Sequence, residues 1–164
     1  MAGDLRRHRY EVTVEWTGNL GEGTASYTAY ERSHSVRAAG KTPIAASSDP
    51  SFRGDPARWN PEEMLVASLS ACHKLWYLHL CAQSGVIVTD YVDSAVGEME
   101  EQGEQGGRFV LVTLHPCVTI TAGGNEALAA ALHQSAHEKC FVANSVNFPV
   151  ICRPRIIAHA TMAG

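Results

Sequence analysis

Roughly nineteen residues, Met64 to Ala82, make a run in which only Ser68, Ser70, His73, Lys74 and His79 are polar. Asn60-Pro61-Glu62-Glu63 precedes it and Gly85 follows it. Asn is a good helix N-cap, Pro suits the first helical position, and acidic residues there oppose the helix dipole favourably. Gly85 supplies the stop. The pattern predicts one helix from residue 61 to about Gln83. A helix that is apolar on every side is buried on every side. Its length approaches a bilayer span, but Lys74 and two histidines near its middle argue against insertion. A 164-residue chain has little room to enclose such a helix. The expectation is therefore a second copy of the chain covering the remaining face, a two-fold homodimer.

Around this helix the chain alternates between β patterns and turns. "RYEVTVEWTG" places Tyr10, Val12, Val14 and Trp16 on one face, which predicts a half-buried strand. "ASYTAYERSHSVRA" reads as its return partner. "GKTPIAASSDPSFRGDPARWNP" reads as a short strand and a long loop, and such loops are often functional. Two β segments, "VTDYVDSAVGEME" and "GRFVLVTLHPCVTITA", flank the turn "EQGEQGG". A second helix, capped by Asn125, should run to about residue 142, and "FPVICRPRIIAHATM" should form a last strand. The order βββ–α–ββ–α–β indicates an α+β fold in a single domain, residues 1–164, with antiparallel sheets.

Composition excludes several functions. The chain is 45% hydrophobic and 18% charged, with a formal net charge of −4 and no basic run, so nucleic acid is not an expected partner. The start, "MAGDLRRHRYEV", lacks the apolar stretch of a secretory signal, which suggests a cytoplasmic location and no membrane partner. Cysteines at 72, 81, 117, 140 and 152 are odd in number and lack CxxC spacing, so a disulfide framework is not expected. The default is buried structural thiols.

Helical geometry sorts the exceptions. Cys72 and Cys81 lie about 13.5 Å apart along the axis and half a turn out of phase, so they cannot bond within one helix. His79 shares the Cys72 face but is roughly 10 Å away. Cys117 and Cys152, in or beside strands, read as core. Cys140 stands at the end of the second helix beside Lys139. With His133 and His137 it occupies one helix face at i, i+4 and i+7, a spacing that can present metal ligands. Solvated histidines are the commoner outcome. The alternative is a redox pairing with Cys72.

"WNPEEMLVASLSACH" resembles the signature of the OsmC/Ohr family, and "HEKCFVANSV" stands where that family keeps its second cysteine. The similarity extends over nearly the whole element order. It implies an OsmC-like fold with a long central helix in an intertwined homodimer, and a thiol peroxidase that reduces organic hydroperoxides in oxidative-stress defence. By the same resemblance Cys72 is the peroxidatic cysteine and Cys140 the resolving one. Glu62 orients an arginine over the thiolate, with Arg53 at the best-matching position and Arg37 and Arg58 as runners-up. An external thiol would be the reductant, and no cofactor or metal is required. A free thiol titrates near ~8.5, so a guanidinium at the sulfur would favour the reactive thiolate. Leu69, Trp76, Phe141 and Phe148 are candidates for an apolar substrate pocket, although plain core is the commoner role for such residues. On a continuous helix Glu62 is about 15 Å from Cys72, so it can act only through a long side chain, a helix break or the partner chain, or it simply caps the helix. His73-Lys74 after the first cysteine and Cys140-Phe141 depart from the family pattern and mark a divergent branch. The same fold could instead serve metal or small-ligand binding through His133, His137 and Cys140, or redox sensing without efficient turnover.

Overall fold

The computed structural model describes residues 6–103 and 106–159. The chain divides into two compact units, residues 1–62 and 63–164. In the first, β1 (Thr13–Trp16), β2 (His34–Arg37) and β3 (Ile44–Ala46) form an antiparallel sheet in the order β1-β2-β3. The predicted first strand is shorter than its alternation suggested, and its apolar face is open. Tyr10, Val12 and Val14 are 84%, 68% and 63% exposed. A two-residue period marks a face as suitable for burial, but among the described residues nothing covers it. The loop after β3 holds a 3-10 turn at Pro50–Phe52, with the Asp49 side chain accepting from Ser51 N–H at 2.7 Å. Arg53 ends the turn with φ 65°, the left-handed region that favours glycine. Gly54 follows where a Cβ would strike the Ser48 carbonyl oxygen.

Helix α1 (Pro61–Gln83) has the predicted bounds and stops before Gly85, whose φ is 73°. It is not buried all round. Leu69, His73, Tyr77 and Cys81 form one buried stripe at four-residue intervals, while Ala67, Ala71, Leu75 and His79 form the opposite, exposed one. No helix among the described residues is long and apolar enough to cross a membrane.

The second unit corrects the strand count. Each long β segment is split into two strands: β4 (Val88–Asp93) and β5 (Val96–Glu101), then β6 (Gly107–Leu114) and β7 (Pro116–Ile120). The last segment splits into β8 (Val150–Cys152) and β9 (Arg155–Ala158). Two three-stranded sheets result, ordered β4-β7-β9 and β5-β6-β8. The sheets are mixed rather than antiparallel throughout, because β8 and β9 join β6 and β7 in parallel. The breaks have local causes. Pro116 and Pro154 lack the N–H that would continue a ladder. At the corner, the Asp93 carboxylate accepts the backbone N–H of His115 at 2.7 Å and the Ser70 hydroxyl of α1 at 2.5 Å. Glu104 and Gln105 of the β5–β6 turn, and the end of the predicted last strand from residue 160, lie outside the described residues.

Helix α2 (Glu126–Lys139) is capped by Asn125, whose side chain accepts from Leu128 N–H at 2.9 Å. It ends earlier than expected, with Cys140 as its extended C-cap and a 3-10 turn at Ala143–Ser145 beyond. The buried stripe of α1 serves two cores. Leu69 joins Val112 and Leu114, whereas Tyr77 and Cys81 join Val118, Ile120, Ala129, Leu132 and Ala136. Burying each large apolar side chain contributes about 1.5–3 kcal/mol. Because Asp93 ties the strand corner to α1 by two charge-assisted bonds, Asp93→Ala should cost about 3 kcal/mol, read as a lowered urea midpoint. An unchanged midpoint would show that the corner holds without it.

Candidate functional site

Two groups of reactive side chains diverge from consecutive residues of α1. The first joins Cys72 to Cys140. Both are free thiols, Cys72 partly buried and Cys140 buried, and the two side chains are near enough for Cys72 to act on the Cys140 thiol. Burial, with the neighbouring Cys72, pushes the Cys140 thiol up to about 11. The Ala143 N–H also reaches the Cys140 sulfur, at 3.4 Å. The C-cap conformation of Cys140 and the tight turn after it thus fix the sulfur at the end of α2. Beside it Trp76 meets Phe141 edge-on at 5.7 Å, and Lys139 lies 5.9 Å from the Trp76 ring. Phe141 is 64% exposed. Leu69 and Phe148 belong to the interior cluster around Val112 and Leu114, as core residues would.

Glu62 sits in the first turn of an unbroken α1, and its Oε2 atom is buried with no hydrogen-bond partner among the described residues. A helix break is therefore not available to bring it toward Cys72. The three candidate arginines differ in their partners. Arg37 pairs with Glu15, and Arg58 with Asp55 at 3.3 Å. Among the described residues no ion pair involves Arg53, whose guanidinium stands 6.0 Å from the Tyr27 ring.

The second group was not legible as such in the sequence. His73 Nε2 lies 2.9 Å from His133 Nδ1, with the ring centroids 5.2 Å apart and the planes 5° from parallel. The Cys152 sulfur is 3.5 Å from the first nitrogen and 3.7 Å from the second. Cys152, read from the sequence as core, thus faces two histidines. The anticipated His133, His137 and Cys140 grouping does not form, because Cys140 turns to Cys72 and His133 turns inward to His73. Tyr77 stacks on His133 at 3.8 Å. His73, which departs from the family pattern, has a structural partner 60 residues away that no local spacing reveals. A cavity of about 440 Å³ opens beside this group, lined by His133, Cys152, His137 and Gln134 among others.

Burial sets the protonation of this group. Desolvation lowers His73 to about 4, opposed by the nearby Asp93 carboxylate and helped by His137. Desolvation and the His73 ring lower His133 to about 3. Desolvation, with Asp93, pushes the Cys152 thiol up to about 12.

A sequence profile described as OsmC-like protein matches residues 54–153. That is more than half of the chain, and the chain belongs to the OsmC-like protein family. Among solved structures, an OsmC-like protein of unknown function from Vibrio cholerae is 30% identical with a TM-score of 0.81, covering 91% of this chain and 100% of that one. An organic hydroperoxide resistance protein OsmC from Legionella pneumophila is 18% identical, with a TM-score of 0.67 and coverage of 93% and 98%. An organic hydroperoxide resistance protein from Elizabethkingia anophelis is 16% identical, with a TM-score of 0.65 and coverage of 94% and 100%. No curated protein matches the sequence.

The two depressed histidines link stability to acid. An unfolded chain protonates them near ~6.5, whereas the folded one resists down to about 4 and 3. Their contribution is complete above pH 6.5 and is lost as pH falls through 6.5 toward 3. In metal-free protein the urea midpoint should therefore drop more steeply between pH 7 and pH 4.5 than in a His73→Leu/His133→Leu double variant. Replacing both partners by apolar groups avoids leaving one unpaired. Parallel pH profiles would contradict this account of the histidines.

Proposed function

We propose that this chain is a cytoplasmic, homodimeric thiol peroxidase for organic hydroperoxides. The observation that carries this reading is that the Cys72 and Cys140 thiols are near enough to influence each other, although sixty-eight residues apart in sequence. The Cys72 thiolate attacks the outer peroxide oxygen, the O–O bond breaks, and the alkoxide takes a proton to leave as alcohol. Cys72 is left as a sulfenic acid. The Cys140 sulfur then displaces hydroxide, which leaves as water with the Cys140 proton, and a Cys72–Cys140 disulfide forms. Two electrons from an external dithiol, or from two thiols, return the pair to its reduced state. The raised Cys140 thiol suits this order, since it stays protonated while Cys72 acts first.

Arg53 is the arginine of this mechanism, stabilising the Cys72 thiolate and donating to the peroxide. Among the described residues it has no carboxylate partner, which supports it over Arg37 and Arg58. Its left-handed backbone adds support, because strained residues concentrate at functional sites. Glu62 positions Arg53, and a buried Oε2 without a partner among the described residues supports an acceptor role. Phe141 and Trp76 border the substrate position. The exposed stripe Ala67, Ala71 and Leu75 supports pairing of α1 with its copy, small residues permitting close approach.

Cys72→Ser should abolish cumene hydroperoxide consumption, and Cys140→Ser should complete one turnover without forming the intramolecular disulfide. Peroxide loss at the wild-type rate in Cys72→Ser would refute the mechanism. Arg53→Ala should slow the first step by about 100-fold. Arg37→Ala and Arg58→Ala should not; an effect at Arg58 instead would reassign the role. Leu75→Arg should convert a dimer to a monomer by light scattering, and an unchanged mass would remove α1 from the interface.

A further inference from the structure

We propose that His73, His133 and Cys152 form a binding site for a first-row divalent transition metal ion, with Zn²⁺ as the type. The three donors come from α1, α2 and β8, and all their ligating atoms lie within 4.8 Å of one another. Two neutral imidazoles and a thiolate are the donor set that such ions take. A tetrahedral Zn²⁺ with Zn–N of about 2.0–2.1 Å and Zn–S of about 2.3 Å has N···S edges of about 3.5 Å and an N···N edge of about 3.3 Å. The observed sulfur–nitrogen distances, 3.5 and 3.7 Å, already match. The nitrogen–nitrogen distance, 2.9 Å, is shorter because the two rings share a hydrogen bond. Parting them by about 0.4 Å opens the position for the metal.

Binding balances in protons. The proton between the rings moves to the outer nitrogen of the same imidazole, leaving both facing nitrogens bare. Cys152 releases its proton to solvent, so one proton leaves per ion. The thiolate and a divalent ion leave one positive charge, and the Asp93 carboxylate acts electrostatically on both His73 and Cys152. His73 Nδ1 and His133 Nε2 have no hydrogen-bond partner among the described residues. Metal-ligating histidines usually have one, and its lack lowers affinity by about 10–100-fold. The cavity gives the ion its route to His133 and Cys152 and leaves the fourth position to water, with His137 on the cavity wall. Neither Cys72 nor Cys140 is a ligand, so the site stands independently of the peroxidase reading.

The test titrates reduced, metal-free protein with Co²⁺ alone, followed by Zn²⁺ competition. The expected result is one equivalent, with a tetrahedral visible spectrum and a thiolate-to-metal charge-transfer band. That spectrum should persist in Cys72→Ser/Cys140→Ser, lose the charge-transfer band in Cys152→Ser, and weaken at least ~10-fold in His133→Ala. No stoichiometric binding would overturn the proposal, as would a thiolate band that survives Cys152→Ser and vanishes in the double variant. Should Cys152→Ser fail to fold, alkylation of the wild-type protein decides. Zn²⁺ should slow modification of Cys152 while leaving Cys117 unchanged, and equal rates with and without Zn²⁺ at Cys152 would refute the site.

Discussion

The buried stripe of α1 is the constraint on which the second unit depends. Leu69, His73, Tyr77 and Cys81 repeat every four residues, and between them they anchor two apolar clusters. Leu69 reaches the β6 side and Tyr77 the β7 side, so the helix spans the corner where the β segment turns at His115. Asp93 closes that corner onto Ser70. Once this stripe is buried, the direction of every other α1 side chain follows from helical geometry. Cys72 and His73 point about 100° apart and so serve different partners.

That divergence organises the chemistry. Cys72 lies near Cys140 at the C-terminal end of α2, and His73 meets His133 two turns earlier on the same helix. The two groups share scaffolding but no side chain. The first is the pair to which the proposed function assigns nucleophilic sulfur chemistry. The second is held neutral by burial, which is the state a metal ion needs from imidazole.

The sequence announced its local features well, because these are written in adjacent residues. Pro61, Gly85 and Asn125 mark helix ends, and the helices begin or stop there. Strand breaks were less legible. His115-Pro116 and Arg153-Pro154 look like interruptions only once Asp93 and the two sheets are placed, so three apparent segments became six strands. The first strand misled differently, since its alternation was real but its apolar face is exposed in one chain. Among candidate site residues, Cys72 and Cys140 stood out in the sequence through motif and order. The His73–His133–Cys152 group was not, because its members are separated by sixty and nineteen residues and join through tertiary packing alone. His73 was visible only as an odd residue after Cys72.

The central claim is that Cys72 is oxidised first and Cys140 resolves it. Mass spectrometry of peroxide-treated protein with a sulfenic-acid trap tests this most directly. In Cys140→Ser the trap should label Cys72, and in the wild type a Cys72–Cys140 disulfide within one chain should replace the label. A trap adduct on Cys117 or Cys152 with Cys72 unmodified would contradict it, as would a wild-type disulfide that omits Cys140.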